Sequence, residues 1–429
     1  MQERDNDNFS FINEKIKEKP LNKRRLLLHV GYIAGVAAVF GVVASLVFAF
    51  FQPKFSQMLY PEQEPIVTIP KDDIVDTEAT EQVSTEATEQ PETEEPIPPE
   101  PEPRTFEIAD FQNLQNELYA VGREANKFVV TVTGVKSDTD WFNNAYESKG
   151  QASGIIIADN GQELLILTER KVISGAQEIF VTFINDVAVE ASMKKYDGNT
   201  GIAVLSVPRG EVDEETMNAI AVAELGNSLV TPQGMIAIAV GSPLGTTYSI
   251  LTGSITSTTN SISTVDTNYT VFTTDIVGST KGSGVLINVS GQVIGLVMQD
   301  YSSDGDQNTL TAISISELKT LIEMLSNNQD IPYIGLELTT VTNDIANEYD
   351  IPKGAYIKEV KMDSPAMVAG LQKGDVITKM GGEAIFTVDS YESKLLELKP
   401  DERVKIVVER QSAGGYKEIT CTVDVSVLQ

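Results

Sequence analysis

The chain has 429 residues, with 62 acidic and 32 basic side chains, a formal net charge of −30, one cysteine and one histidine. This balance argues against a nucleic-acid partner, because phosphate binding requires a basic surface. A single cysteine, Cys421, allows neither an internal disulfide nor a thiolate metal cluster, and a single histidine, His29, excludes His-rich metal sites. We therefore predict no metal site and no cofactor. The length predicts two or three domains.

An apolar run of 26 residues occupies positions 26–51 and contains no Asp, Glu, Lys or Arg. About 20 such residues cross the hydrocarbon core of a bilayer as a helix, so we predict a transmembrane helix over 26–51. Residues 1–25 are rich in lysine and arginine close to this run, which places them in the cytoplasm and the rest of the chain outside. A cleaved signal peptide is the alternative, but its apolar region is usually only about 7–15 residues long. We expect an uncleaved, single-pass anchor in the cell membrane, with His29 near the headgroups.

Residues 52–104 have a different composition. Between positions 61 and 104 there are 14 acidic residues against Lys71 and Arg104, many Pro and Thr, and two copies of the hexapeptide TEATEQ. Such a segment buries too little apolar surface to offset the entropy of ordering it. We therefore predict an extended, disordered acidic linker between the anchor and the globular part. An acidic extracellular linker fits a bacterium with a single membrane.

Short β-branched runs alternate with turn residues from position 128 onward. The runs lie at 128–133, 154–157, 164–167, 179–183, 202–207, 235–240, 271–274, 285–287 and 293–297. Many short strands with regular turns predict a mainly β fold, either a sandwich or a pair of barrels. One helix follows them, because Ser314 and Glu317 form a capping-box pattern and apolar residues then repeat at helical spacing.

Several short motifs recur along this β-rich part in a fixed order. They are SGIII at 153–157, LT at 167–168, GIAVL at 201–205, GSPLG at 241–245, GSGVLIN at 282–288, GQVIG at 291–295 and YIGL at 333–336. Their order and spacing resemble those of the HtrA-type serine proteases in their membrane-anchored bacterial form. The resemblance implies a trypsin-like double β-barrel over 105–328, followed by a PDZ domain over 331–429.

The same resemblance implies a Ser-His-Asp triad, and all three of its positions hold other residues here. Lys171 stands at the position of the base, and Gly201 stands at the position of the aspartate. Counting back from Asn288 places Gly282 at the position of the nucleophile. A triad needs an imidazole beside the hydroxyl, and the chain's one imidazole, His29, belongs to the predicted anchor. We therefore predict a pseudoprotease that is not an enzyme.

An active endopeptidase with an atypical Ser–Lys arrangement is the alternative. Ser283 would be its nucleophile, and Lys171 would have to be desolvated enough to be neutral near pH 7. An aspartic dyad of Asp197 and Asp275 is disfavoured, because one lies in a D-G-N turn and the other on a strand, both ordinary structural placements. Cys421 is expected to be a small buried residue of the C-terminal strand.

The segment Tyr333-Ile334-Gly335-Leu336 resembles the carboxylate-binding loop of PDZ domains. In such loops consecutive backbone N–H groups hold a peptide C-terminus while the peptide adds a strand to the sheet edge. The resemblance implies that peptide is bound by Tyr333, Ile334, Gly335, Leu336, Leu338 and Leu395. We expect protein C-termini or unfolded polypeptides as partners, in an adaptor, chaperone or quality-control role. The family resemblance also implies a homotrimer.

Overall fold

The computed structural model describes residues 65–72, 107–139, 145–302 and 308–428, together with the single residues Arg24, Tyr32 and Gly41. Within these residues, no helix is both long enough and apolar enough to cross a bilayer. Apart from the three single residues, the predicted cytoplasmic segment 1–25 and the predicted transmembrane helix 26–51 lie outside this part of the chain. His29 lies outside it as well.

Twelve strands form two closed six-stranded barrels, three strands more than the nine β-branched runs predict. The first barrel contains β1 (Val129–Thr139), β2 (Ala145–Asp159), β3 (Glu163–Glu169), β4 (Glu178–Thr182), β5 (Ala188–Tyr196) and β6 (Ile202–Pro208), in the order β1-β2-β3-β6-β5-β4. The second contains β7 (Ile236–Ser242), β8 (Ser249–Ser263), β9 (Asn268–Val277), β10 (Ser283–Ile287), β11 (Val293–Val297) and β12 (Thr309–Ser314), in the order β10-β11-β12-β9-β8-β7. Closure leaves neither sheet with a free edge.

Each barrel has its own apolar interior, and a third cluster joins them. Val132, Ile166 and Leu205 are fully buried in the first interior, and Phe272 and Leu286 are buried in the second. The joining cluster takes side chains from both barrels and from the helix that follows them, including Leu167, Val240, Val285, Leu318 and Ile322. Side chains alternate across each strand, so one set fills a barrel while the other packs between the barrels.

Four α-helices accompany the barrels: α1 (Ile108–Ala125), α2 (Arg170–Ile173), α3 (Glu214–Ala219) and α4 (Ile315–Ser326). Helix α4 confirms the predicted helix, but its N-terminus differs from a capping box. Ser314 is the N-cap residue, yet its hydroxyl pairs with the Ser228 hydroxyl at 2.7 Å. The Glu317 carboxylate accepts from the Thr270 N–H at 2.5 Å, so tertiary partners take both side chains away from the helix end.

The remaining strands and α-helices form the predicted PDZ domain, around a separate core. Its strands are β13 (Pro332–Tyr333), β14 (Leu336–Thr340), β15 (Ala355–Val360), β16 (Val376–Met380), β17 (Glu383–Ala384), β18 (Arg403–Ser412), β19 (Gly415–Asp424) and β20 (Ser426–Val427). Its helices are α5 (Asn343–Tyr349), α6 (Pro365–Val368) and α7 (Val388–Leu396). The main sheet runs β14-β15-β16-β18-β19, so β14 lies at its edge, and Cys421 is buried as expected.

Residues 65–72 differ from the predicted disordered linker, because they pack along α4. Ile69 is buried at 7% exposure, and its N–H donates to the Glu323 carboxylate at 2.8 Å. Asp72 forms an ion pair with the buried ammonium of Lys319 at 2.7 Å. A buried lysine without a partner would be strongly destabilising, so this ion pair favours the packing of Asp72 against α4. The rest of the predicted linker, apart from these eight residues, lies outside the described chain.

Candidate functional site

Two of the three predicted triad positions are neighbours at one end of the first barrel. Lys171 lies in α2, directly after β3, and Gly201 lies directly before β6. The Arg170 N–H donates to the Gly201 carbonyl at 2.7 Å, which holds the two segments together. Gly201 has φ +74°, a left-handed conformation that favours glycine. The backbone at this position is therefore suited to the glycine that stands where the family has an aspartate.

Lys171 is held by two carboxylates. Its ammonium lies 2.5 Å from the buried carboxylate of Glu169 and 3.4 Å from that of Asp300. Burial alone would lower the pKa of Lys171, but the hydrogen bond and charge of Glu169, with the charge of Asp300, outweigh it and raise the pKa. Burial raises the pKa of Glu169 despite the opposing effect of Lys171. A lysine that acts as a general base near pH 7 needs a lowered pKa. The raised pKa of Lys171 instead keeps its side chain a protonated ammonium.

The third position, Gly282, lies in a tight turn just before β10. A Cβ atom built there would lie 2.6 Å from the Pro243 carbonyl oxygen and 2.9 Å from that of Ser279. The Gly282 N–H donates to the Ser279 carbonyl at 2.7 Å, which closes the turn. The turn thus has no room for a side chain at 282. Ser283 is buried at 3% exposure, and its hydroxyl accepts from the Ser153 N–H at 2.9 Å.

Asp197 and Asp275 have structural roles, as predicted from their positions. Asp197 is buried and accepts from the Thr200 N–H at 2.9 Å, in the turn before β6. Asp275 accepts from the Ser254 N–H at 2.6 Å, across strands β8 and β9. Each carboxylate therefore satisfies a local backbone donor.

The predicted carboxylate-binding loop of the PDZ domain holds a carboxylate that belongs to the chain itself. The side chain of Asp266, from the turn between β8 and β9, accepts three backbone N–H groups. Ile334 and Gly335 donate to Oδ2 at 2.8 and 2.7 Å, and Leu336 donates to Oδ1 at 3.0 Å. The Tyr391 hydroxyl of α7 donates to Oδ1 at 2.8 Å. Consecutive N–H groups that converge on one carboxylate form the anion-binding arrangement expected of this loop.

Sequence reasoning missed Asp266 completely. The residue lies in the stretch Thr264-Val265-Asp266-Thr267-Asn268, which has the composition of an ordinary polar turn. It adopts a left-handed backbone conformation with φ +64°, as Asp186 does in the turn between β4 and β5. No local signal distinguishes the two aspartates, because only the three-dimensional fold brings one of them to the PDZ domain.

Acidic side chains crowd this junction between the second barrel and the PDZ domain. Burial raises the pKa of Asp266, against the lowering effect of the N–H groups and Tyr391. The pKa of Glu392 on α7 is raised to about 8, chiefly by burial and further by the negative charges of Asp389, Glu317 and Asp266, although a hydrogen bond with Thr267 lowers it. The junction therefore carries fewer negative charges near neutral pH than its composition suggests.

The predicted peptide-binding residues lie around the same loop. Ile334, Leu336, Leu338 and Leu395 are buried in the PDZ core, at 2% exposure or less, and Tyr333 is half-buried. The backbone of the loop rather than these side chains makes the polar contacts to Asp266. Their assignment to peptide binding stays a prediction.

Known families and structures match both halves of the globular part. Residues 152–296 match the trypsin-like peptidase domain, and residues 332–426 match the PDZ domain. A serine protease Do-like HtrA from Lactobacillus helveticus is 30% identical over 285 residues, covering 62% of this chain and 67% of the relative. A serine protease Do-like HtrB from Bacillus subtilis is 28% identical over 321 residues, covering 68% of each.

Further matches point the same way. A probable periplasmic DegP-like serine endoprotease from Pseudomonas savastanoi is 29% identical, over 65% of this chain and 56% of the relative. The solved structure of the HtrA-type protease AlgW with a decapeptide has a TM-score of 0.53 at 19% identity, covering 72% of this chain and 98% of that one. At that identity the structural match supports the fold, a trypsin-like double barrel with a PDZ domain.

The prediction that the chain is not an enzyme is wrong, because the relatives at about 30% identity are named as serine proteases. The prediction depended on residue types at Lys171, Gly201 and Gly282. It gave those positions more weight than the rest of the domain, and it placed the nucleophile by a count back from Asn288. A count that slips by one residue gives Ser283, which the structure buries at the start of β10.

The raised pKa of Glu392 predicts a pH-dependent stability. The folded chain keeps the proton of this carboxyl at pH values where the unfolded chain has lost it. The resulting contribution is fully present below the unfolded pKa and is lost as the pH rises through about 8. We expect Glu392→Gln to raise the thermal midpoint at pH 8.5 by at least about 2 °C and to change it little at pH 4.

The exposed Glu348 of α5 provides the control for this measurement by differential scanning calorimetry. Glu348→Gln is expected to leave the pH profile unchanged. A Glu392→Gln variant whose thermal midpoint follows the unmodified protein at both pH values would contradict the assignment.

Proposed function

The chain belongs to the HtrA family of serine proteases, which combine a trypsin-like peptidase domain with a PDZ domain, and we propose that it captures the C-termini of polypeptides outside the cytoplasm. The observation that carries this proposal is the convergence of the Ile334, Gly335 and Leu336 N–H groups on one carboxylate. A peptide C-terminus presents the same charged group to the same donors.

The position of β14 supports the same proposal. This strand begins at Leu336, the last donor of the segment 334–336, which we call the N–H loop, and it lies at the edge of the PDZ sheet. A peptide whose carboxylate occupies the loop can therefore extend along β14 as an added strand. Main-chain pairing of this kind accepts many sequences, which suits unfolded polypeptides and a role as adaptor, chaperone or quality-control factor.

A single-pass membrane anchor is part of the proposal. The apolar residues 26–51 follow a basic segment, and the DegP-like relatives are named as periplasmic, on the far side of the cytoplasmic membrane. Protease added to intact cells should then digest an epitope placed after Gln429 and spare one placed before Met1. Protection of the C-terminal epitope would contradict this orientation.

The carboxylate proposal predicts that peptide affinity depends on a free C-terminus. Decapeptides that end in an apolar residue should bind the full chain at least about tenfold more tightly as free acids than as amides, because the amide lacks the charge-assisted hydrogen bonds. Fluorescence anisotropy with labelled peptides measures the difference. Equal binding of the two forms would rule out carboxylate capture.

A pair of glycine variants localises the binding. Gly335 has φ +96°, and a Cβ atom there would lie 2.3 Å from the Ser364 Cβ, so Gly335→Ala must distort the loop. Gly382 has a similar φ of +93° with open space around it. We expect Gly335→Ala to remove the preference for the free acid and Gly382→Ala to retain it. The comparison separates damage to the loop from the backbone strain that both substitutions introduce.

Peptide-bond hydrolysis at Ser283 is a second candidate function, favoured by the names of the relatives and by the place of Ser283 at the start of β10. This candidate predicts that a fluorophosphonate probe labels the full chain and that casein is cleaved. Both signals should fall at least about 10³-fold in Ser283→Ala and persist in Ser279→Ala. Absence of labelling in the unmodified protein would contradict hydrolysis, and labelling that survives in Ser283→Ala would contradict the choice of nucleophile.

A further inference from the structure

The turn between β8 and β9, residues 263–268, contacts the PDZ domain at the two places that a bound peptide would use. We call it the β8–β9 turn. Its first contact is the N–H loop, where the Asp266 carboxylate takes the donors of Ile334, Gly335 and Leu336. The Tyr391 hydroxyl adds a fourth donor to the same carboxylate. These four donors are unavailable to a peptide while the Asp266 carboxylate accepts from them.

The second contact is the edge of β14 that is not paired with β15. The Asp266 N–H donates to the Leu336 carbonyl at 2.6 Å. The next carbonyl of the same alternating set, that of Leu338, accepts from the Ser263 hydroxyl at 3.1 Å and from the Asn268 side-chain amide at 3.3 Å. An added strand would pair with these carbonyls, because alternate residues of an edge strand point their carbonyls outward.

From these two sets of contacts we propose that the β8–β9 turn is an internal ligand of the PDZ domain, with the Asp266 carboxylate in the place of a peptide C-terminus. This inference rests on the proposed capture of C-termini and specifies how that capture is regulated. Peptide binding and docking of the turn are mutually exclusive, since both require the N–H groups at 334–336 and the carbonyls of β14. A polypeptide can bind only by displacing the turn.

The internal ligand has features that favour its displacement. Asp266 adopts φ +64°, a left-handed conformation that side chains other than glycine adopt at some energetic cost. Its carboxylate is also fully buried, which raises its pKa, and its charge acts on the nearby Glu392. A terminal carboxylate at the end of a flexible peptide, by contrast, does not require a residue in the left-handed conformation. The turn is favoured mainly by being in the same chain, which gives it a high effective concentration.

The test compares Asp266→Asn with a matched substitution, Asp186→Asn. Asn tolerates the left-handed conformation and keeps an oxygen acceptor, but it loses the charge that the N–H loop holds. Asp186 has the same φ of +64° in the turn between β4 and β5 of the first barrel, and it is exposed. Asp266→Gly is a second variant that relieves the backbone and removes the carboxylate altogether.

The measurement is anisotropy of labelled decapeptides ending in Val, Leu, Phe or Ala, each as free acid and as amide, with the full chain. We expect the free acids to bind to Asp266→Asn and Asp266→Gly at least about tenfold more tightly than to the unmodified protein. In these variants the turn no longer occupies the N–H loop, so a larger fraction of the protein can bind peptide. Asp186→Asn should bind as the unmodified protein does. The amides should gain much less.

Two unfavourable results have different meanings. Free acids that bind all four proteins equally, and more tightly than amides, would overturn the internal ligand and leave carboxylate capture intact. Peptides that show no preference for the free acid with any of the proteins, including the two Asp266 variants, would overturn carboxylate capture and the internal ligand with it.

Discussion

The hydrogen bonds of the Asp266 carboxylate connect the second barrel with the PDZ domain, and the arrangement of the two depends on them. The carboxylate satisfies three consecutive backbone donors and one tyrosine hydroxyl in a site with almost no access to solvent. Removing it leaves four buried donors without their partner, each of which destabilises the folded state by about 1–3 kcal/mol unless water or another acceptor replaces it. Under the proposed function, a terminal carboxylate from outside becomes the acceptor for these donors. One contact thus connects domain docking with ligand binding.

Burial disfavours the charged form of Asp266, whereas its hydrogen-bond donors favour it. Beyond the effect of burial, the negative charges of Asp389, Glu317 and Asp266 raise the pKa of Glu392 at the junction, in a chain of net charge −30. The N–H loop supplies partial positive charge to only one of these carboxyl groups, that of Asp266. Burial raises the pKa of Glu392 to about 8, so this neighbour holds its proton at neutral pH and spares Asp266 a further repulsion. The loop therefore holds the Asp266 carboxylate beside a neighbour, Glu392, that keeps its proton at neutral pH.

Local patterns predicted the elements well, because strands and helices depend on neighbouring residues. The β-branched runs correspond to nine of the twelve barrel strands, and β5, β8 and β12 were missed. The apolar repeat after Ser314 corresponds to α4, and the segment at 333–336 forms the expected loop. Long-range contacts were not predictable in this way. Asp266 and Leu336 are 70 positions apart, and the N–H of Val67 in the acidic segment contacts Asn327 across 260 positions. Composition alone placed residues 65–72 in a disordered linker, since it cannot reveal that Lys319 offers a buried partner to Asp72.

Reasoning from single residues was also limited at the predicted peptidase site. Sequence motifs indicated Lys171, Gly201 and Gly282 as the triad positions, and the fold gives each residue a local structural reason. Lys171 pairs with Glu169, Gly201 adopts a left-handed conformation, and Gly282 fills a turn that has no room for a side chain. Residue types at three positions nevertheless described the chain less well than its overall similarity to proteins named as serine proteases.

Amide hydrogen exchange at residues 334–336 tests most directly whether Asp266 occupies the loop. With the full chain in the absence of any peptide, the account predicts slow exchange of these three amides. It predicts exchange at least about tenfold faster in Asp266→Gly, with Asp186→Gly unchanged, since a lost acceptor raises the population of open states. Equal protection in Asp266→Gly and in the unmodified protein would contradict the account.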